Sequence, residues 1–175
     1  MIDKEQKILI VEDDLNLVKL VQKVLRKEGI NSESADTGLK AFQWIKKNKR
    51  TLVVLDYKLP DMTASHLLKM LNEKGCNPPF IIITGNSEIK KAIKMMKMGA
   101  KDYILKDYKF LDLISSVVKK AILEINKDEE EKNVREALKE NGNTLKSLMN
   151  PGDDSAFLLD TKGKILAVND VGAAR

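Results

Sequence analysis

Short apolar segments alternate with segments of helical periodicity over the first 125 residues, and this alternation strongly limits the folds available to the chain. The strand-like runs are Ile8–Val11, Asn31–Ala35, Leu52–Leu55, Phe80–Ile83 and Tyr103–Leu105. The amphipathic stretches between and after them are Leu15–Glu28, Leu39–Asn48, Ser65–Lys74, Glu88–Met98 and Phe110–Ile125. Strands joined to helices by such short connections predict a parallel sheet with helices on both faces.

The number of these segments predicts an α/β fold of the flavodoxin-like class, a doubly wound five-stranded parallel sheet with five helices. Three strands lack polar alternation, as expected for strands that are covered on both faces. Asn31–Ala35 alternates with polar residues and is predicted to be an edge strand. In the fourth helix, the spacing predicts Met96 and Ile93 on the core side, with Met95 or Met98 more exposed.

Composition and charge exclude several other classes of protein. Hydrophobic residues make up 43% and charged residues 33% of the chain, which is enough apolar material for a core. The 31 Lys and Arg residues outnumber the 26 Asp and Glu residues, but they are spread over nearly every predicted helix. With only 5% aromatic residues, this distribution predicts no direct contact with nucleic acid. Cys76 is the only cysteine, and the lack of a long apolar segment predicts a cytoplasmic protein without a membrane span.

Four of the predicted strands are followed by residues with charged or hydroxyl side chains that can bind ligands or react. The first is followed by Glu12 and Asp13, the third by Asp56, the fourth by Thr84 and the fifth by Lys106. The carboxyl ends of parallel strands share one edge of the sheet, so these side chains are expected to meet there. Neighbouring carboxylates repel unless a cation joins them, and oxygen ligands of this kind suit Mg²⁺. Asp56 is also a candidate carboxylate nucleophile for a phosphoryl group.

The sequence resembles the receiver domain of two-component response regulators. The matching stretches cover the predicted domain in order, and they are Ile8–Asp14, Val54–Met62, Ile81–Gly85 and Gly99–Lys106. One Asp-Asp pair alone would be weak evidence, whereas four motifs in register are a strong signal.

The resemblance implies a role for each matching residue. Asp56 resembles the phosphate-accepting aspartate, and Glu12 and Asp13 resemble the acidic pair that holds Mg²⁺ together with Asp56. Lys58 is implied to offer its backbone carbonyl to the metal. Thr84 resembles the switch hydroxyl, Lys106 the phosphate-pairing lysine and Tyr103 the switch aromatic. The resemblance thus implies catalytic roles for Thr84 and Lys106 and switch roles for Thr84 and Tyr103.

Three positions depart from the family pattern. Asp107 stands where a proline usually follows the lysine, often after a cis bond, so this loop is expected to be trans and to reposition the Lys106 ammonium. Thr63-Ala64-Ser65 replaces a stretch that usually contains glycine. Lys58 brings an additional positive charge close to the predicted site. These departures bear on reaction rates more than on the identity of the site.

The resemblance implies a phosphorylation-dependent signalling receiver, with a histidine kinase as phosphodonor and a switching surface that controls a downstream output. Such a receiver is not an enzyme acting on a separate substrate. One alternative is a receiver fold that serves only as a structural or dimerising module. Another is a metal-dependent phosphohydrolase with an aspartyl nucleophile, but that class requires a second Asp where this chain has Lys58.

Residues after the predicted receiver domain (1–125) form two further segments. Residues 126–150 are predicted to be a helical linker, in which Val134, Leu138, Asn141, Leu145 and Leu148 follow a short heptad pattern. This pattern predicts a homodimer, although Gly142 could equally end the helix. Residues 151–175 include two predicted strands joined by a turn at Asp160–Gly163, and they resemble the truncated start of a PAS domain. We therefore expect the output domain to be missing from this chain.

Overall fold

The structure, a computed structural model, describes residues 6–85, 89–149 and 157–169, with the backbone alone at 89, 92, 141–149 and 167. The strands are β1 (Lys7–Val11), β2 (Glu33–Ala35), β3 (Thr51–Asp56), β4 (Phe80–Thr84), β5 (Asp102–Leu105), β6 (Phe157–Leu159) and β7 (Ile165–Val168). The helices are α1 (Leu15–Lys27), α2 (Gly38–Lys47), α3 (Ala64–Asn72), α4 (Ile89–Lys97) and α5 (Phe110–Met149). The chain divides into two compact units, Met1–Asn126 and Lys127–Arg175.

The first unit contains a five-stranded parallel sheet with the strand order β2-β1-β3-β4-β5. This confirms the predicted flavodoxin-like fold class, including an edge position for the short strand β2. In this order the connection reverses direction between β1 and β3, so their carboxyl ends flank the crevice in which doubly wound sheets bind ligands.

Alternate residues of the central strands enter two separate cores, one on each face of the sheet. Ile8 and Ile10 belong to the core covered by α1 and α5, whereas Leu9 and Val11 belong to the core covered by α2, α3 and α4. Each fully buried Ile or Leu contributes roughly 1.5–3 kcal/mol of burial free energy. The strands are therefore fixed in register from both sides, and their carboxyl ends are held in place.

The predicted apolar face of α5 packs on the sheet as expected. Ile114 and Val118 are fully buried, and Ala121 and Ile125 are nearly so. The helix then continues through Gly142 to Met149, so the glycine does not end it. The side chains of Asn141, Leu145 and Leu148 lie outside the described residues.

The prediction for α4 was wrong. Met95 is fully buried against the core beneath α2 and α3, while Ile93 and Met96 are 54% and 38% exposed. A helix with two adjacent apolar stripes can bury either one, and the connections to β4 and β5 decide which stripe faces the sheet.

In the second unit, β6 and β7 form an antiparallel hairpin. The Asp160 carboxylate accepts hydrogen bonds from the backbone of Lys162 and Lys164, and Gly163 supplies the positive φ angle of the turn. This confirms the predicted strand–turn–strand segment. Five of its apolar side chains are 40% to 58% exposed, namely Phe157, Leu158, Leu159, Ile165 and Leu166.

Candidate functional site

Three carboxylates meet at the carboxyl edge of the sheet. Glu12 and Asp13 follow β1, and Asp56 is the last residue of β3, which pairs with β1. Each offers one oxygen such that all three oxygens lie within 4.8 Å of one another. Glu12 and Asp56 are only 2% and 6% exposed, so their charges need compensation from nearby groups.

Lys106 supplies that compensation from the end of β5. Its Nζ lies 2.6 Å from Glu12 Oε2 and 2.7 Å from Asp56 Oδ2. Burial lowers the pKa of the Lys106 ammonium, but the two carboxylates outweigh this effect and hold the pKa above its ordinary value. Burial raises the pKa of Glu12 above its ordinary value, and the bond to Lys106 offsets only part of that rise.

The loop after Lys106 explains how Asp107 can stand where the family usually has proline. No cis peptide bond occurs within the described ranges, so the Lys106–Asp107 bond is trans, as expected. With this trans bond, Lys106 Nζ contacts both carboxylates, and a repositioned ammonium relative to the family stays a prediction. The Asp107 carboxylate instead accepts a hydrogen bond from Lys109 N at 2.9 Å, and Asp107 O accepts one from Phe110 N, the first residue of α5.

The loop between β3 and α3 also works without the usual glycine. Thr63 adopts an extended conformation and caps α3, its hydroxyl accepting a hydrogen bond from His66 N. Ala64 N donates to Tyr57 O at 2.9 Å and closes the loop. Lys58 lines the same cleft as Asp56, which agrees with its predicted position beside the site.

The two predicted switch residues lie on neighbouring strands. Thr84 ends β4, is fully buried, and its hydroxyl donates to Gly85 O at 3.5 Å. Tyr103 lies on β5 opposite Ile82 and is 43% exposed. The structure thus brings Glu12, Asp13, Asp56, Lys58 and Lys106 to one cleft. Thr84 does not line this cleft but precedes Gly85, which does, and Tyr103 lies on the edge strand β5.

Sequence reasoning missed two supporting carboxylates. Asp14 accepts hydrogen bonds from Asn16 N and Leu17 N and caps α1, so it belongs to the helix and not to the acidic cluster. Asp61 accepts hydrogen bonds from Gly38 N at 2.8 Å and Leu39 N at 2.9 Å, which ties the loop after β3 to the start of α2. Asp14 could have been found as an Asp before a helix, whereas the contact of Asp61 is tertiary and leaves no local signal.

Comparison with known proteins points to the same class of protein as the fold and the acidic cleft. The family model described as response regulator receiver domain matches residues 8–118. The chain belongs to this family.

Several curated proteins are similar over the same region. The probable transcriptional regulatory protein SilR of Salmonella typhimurium is 33% identical over 111 residues, which are 63% of this chain and 49% of that protein. The cell cycle transcriptional regulator CtrA of Caulobacter vibrioides is 31% identical over 111 residues, 63% of this chain and 48% of that protein. The chain therefore spans about half the length of the curated relatives that it matches.

Two solved structures illustrate the similarity of the fold. The signal receiver domain of a putative Luxo repressor protein from Vibrio parahaemolyticus matches with a TM-score of 0.66 and 26% identity, covering 71% of this chain and 95% of that one. The receiver domain of NtrX from Brucella abortus matches with a TM-score of 0.60 and 28% identity, covering 66% and 98%. Both matches cover nearly all of a separate receiver domain.

Proposed function

We propose that this chain is a phosphorylation-controlled receiver that accepts a phosphoryl group from a histidine kinase on Asp56. The observation that carries the proposal is the double ion pair of Lys106 with Asp56 and Glu12, in a cleft at the carboxyl edge of the sheet. A purely structural module has no need for two nearly buried carboxylates, Glu12 and Asp56, bridged by one ammonium. The phosphohydrolase alternative is disfavoured because its second carboxylate would have to stand where Lys58 is.

Mg²⁺ fits the donor set of this cleft. Glu12, Asp13 and Asp56 offer three carboxylates whose oxygens are hard ligands, and the Lys106 ammonium pairs with only two of them, Glu12 and Asp56. We infer that these three side chains, with the backbone carbonyl of Lys58, would hold the ion. When bound, the ion would neutralise charge on the phosphoryl oxygens during transfer.

The residues of the chain itself account for the transfer step. An Asp56 oxygen attacks the phosphorus of a phosphohistidine, forming a P–O bond as the P–N bond breaks, and the departing imidazole keeps the electron pair and takes up a proton. Lys106 is already 2.7 Å from Asp56 and neutralises charge that develops on the phosphoryl oxygens. We infer that the Thr84 hydroxyl, at the end of the adjacent strand, exchanges its hydrogen bond to Gly85 O for one to a phosphoryl oxygen.

Labelling tests this assignment. A small phosphodonor with Mg²⁺ is expected to add one acid-stable, base-labile phosphoryl group to the chain, and omission of Mg²⁺ is expected to abolish labelling. Asp56→Asn should remove the label. The matched control Asp112→Asn changes an exposed carboxylate in the first turn of α5, and it should label normally. Equal labelling of the Asp56 and Asp112 variants would refute the assignment.

We further propose that Thr84 couples phosphorylation to the surface around α4 and Tyr103. A hydroxyl drawn to the phosphoryl group moves the end of β4, and space then opens for the Tyr103 ring. Ile93 and Met96 on α4 and Tyr103 on β5 are large apolar side chains that are already exposed. An output partner that binds one arrangement of this surface would sense the phosphorylation state.

A pair of variants separates this coupling from the chemistry. Thr84→Ala should leave labelling of Asp56 largely intact but abolish the accompanying change in hydrogen exchange of α4 and β5. Thr84→Ser keeps the hydroxyl and should retain that change. Equal responses of the wild type and the alanine variant would contradict the role of the hydroxyl.

The proposed organisation is a receiver domain over residues 1–125, a linker helix over 126–150 and the start of a PAS-like domain over 151–175. The exposed apolar side chains of β6 and β7 support a segment that needs further apolar surface to pack against, since a two-stranded hairpin by itself is marginal in water. We propose that the linker helix forms a homodimer and that a longer protein carries the output domain. The cytoplasm remains the predicted location, and no helix within the described ranges is long and apolar enough to cross a membrane.

A further inference from the structure

A groove between α3 and α4 lies outside the acidic cleft. Its volume is about 760 Å³, within the range of small-molecule sites in proteins. The two helices form its walls, the start of β4 contributes Phe80, and the loop with Cys76, Pro78 and Pro79 also lines it. Because helices, a strand and a proline-containing loop all line it, the groove is a half-open concavity between several elements and not the face of one helix.

The groove combines an apolar lining with positive walls. Leu68, Phe80 and Met98 contribute apolar surface, and Met98 is 45% exposed. Lys69 on α3 and Lys94 on α4 line the opposite walls, and neither forms an ion pair within the described part of the chain. None of the described lining residues is acidic. The groove therefore complements a ligand with an apolar body and a negative head.

We propose that this groove binds a small amphipathic carboxylate, whose acyl chain or ring lies on Leu68, Phe80 and Met98 and whose carboxylate pairs with Lys69 and Lys94. Charge complementarity favours an anion, because the described lining carries ammonium groups and no carboxylate, so a cation is repelled and a neutral head forms no ion pair. The short walls favour a small molecule over an acidic partner helix, since α3 has only 9 residues and extends about 13 Å.

Decanoate, below its micelle-forming concentration, is the probe, titrated into the unphosphorylated full chain and followed by amide chemical shifts. Saturable shifts are expected in α3, the loop with Cys76–Pro79 and the C-terminal half of α4. Decanol, with the same chain length and no charge, should bind roughly tenfold more weakly. The experiment requires no phosphorylation, so its result does not depend on the role of Asp56.

Paired variants test the positive walls. Lys69→Gln with Lys94→Gln should weaken decanoate binding roughly tenfold and leave decanol unaffected. The control pair Lys19→Gln and Lys23→Gln, on α1, removes the same charge and should leave decanoate binding unchanged. Met98→Gln should weaken both ligands. The proposal is overturned if shifts do not saturate in the groove, if decanol binds as tightly as decanoate, if both lysine pairs behave alike, or if only an acidic peptide binds.

Discussion

At the scale of single residues, the nearly complete burial of Glu12 gives the acidic cleft a pH dependence. Burial raises the pKa of Glu12, so the folded chain keeps this proton to a higher pH than the unfolded chain does. The stabilisation from this group is therefore fully present below the ordinary pKa of 4.5 and is lost as the pH rises through the raised, folded pKa. Above that pH window, the buried and ionised Glu12 carboxylate destabilises the folded chain, and a bound cation would offset this destabilisation.

We compare the free energy of unfolding of the wild type with that of Glu12→Gln. The wild-type value minus the variant value is expected to decline as the pH rises above 4.5 and to level off above the pKa of Glu12 in the folded chain. Lys106 does not disturb this window, because its own pKa is raised from an ordinary value of 10.5. Urea denaturation without Mg²⁺ over a series of pH values measures the difference. Glu33→Gln, which removes an exposed carboxylate, controls for net charge. A difference that grows with pH across this window would contradict the raised pKa.

The residues of the cleft could be predicted because strand ends in a parallel sheet converge. Glu12, Asp13, Asp56 and Lys106 each follow or end a strand, and their positions need only the strand count and the register. The burial of Glu12 could not be predicted, since it depends on how the Lys106 loop closes over the carboxylates. The sequence likewise did not predict that Lys106 would keep both ion pairs through a trans bond to Asp107.

At the scale of elements, the loop after β3 is fastened to α2 by two contacts. The Asp61 carboxylate accepts the hydrogen bonds of Gly38 N and Leu39 N. Met62 fills the space above Gly38, where an added Cβ would lie 2.5 Å from both its Cγ and its Sδ. Helix α2 thus holds the loop that carries Lys58. The close approach of Met62 to α2 requires glycine at position 38.

Gly38→Ala is predicted to destabilise the chain by roughly 1–3 kcal/mol, because the new methyl group displaces the Met62 side chain. In Gly38→Ala with Met62→Ala the space is restored, so the double variant should lose less stability than the sum of the single variants, by about 1 kcal/mol or more. Chemical denaturation of the four proteins measures this coupling. Gly85→Ala is the control, since a Cβ there meets no atom within 4 Å. Strictly additive losses would argue against the contact.

Helical periodicity predicts the ends of three helices well but does not predict the buried face of α4. The ends of α1, α2 and α3 follow the predicted amphipathic stretches to within one or two residues. In α4, however, both Met95 and the pair Ile93 and Met96 are apolar, and the sequence pattern cannot choose between the two stripes. Tertiary packing buries Met95, which leaves the other stripe at the surface beside Tyr103.

For the whole molecule, the longest described element is the single helix α5. It runs from Phe110 to Met149, although Gly142 has an unfavourable helical propensity. Ion pairs of Lys127 with Glu131 and of Lys132 with Glu136, each at i,i+4, contribute a few tenths of a kcal/mol to this exposed helix. The sequence left the choice between one helix and two open, because local propensity at a single glycine does not settle it.

The part of α5 beyond Asn126 is expected to form a homodimer. Val134 and Leu138 are 55% and 69% exposed and four residues apart on one face. About 23 residues of helix beyond Asn126 span roughly 35 Å, which is long enough for three heptads of a parallel seam. Apolar side chains repeating along a helix gain most from an identical copy of that helix, since one surface then satisfies both chains.

Sedimentation velocity over a concentration series should therefore show a dimer for the full chain and a monomer for residues 1–126, which form a compact unit. Leu138→Glu should weaken the dimer at least roughly tenfold, because it introduces two like charges into the apolar seam. Asn133→Glu changes the net charge by the same amount outside the seam and should leave the dimer intact. A full chain that stays monomeric at tens of micromolar, or equal weakening by both substitutions, would exclude this helix as the dimer interface.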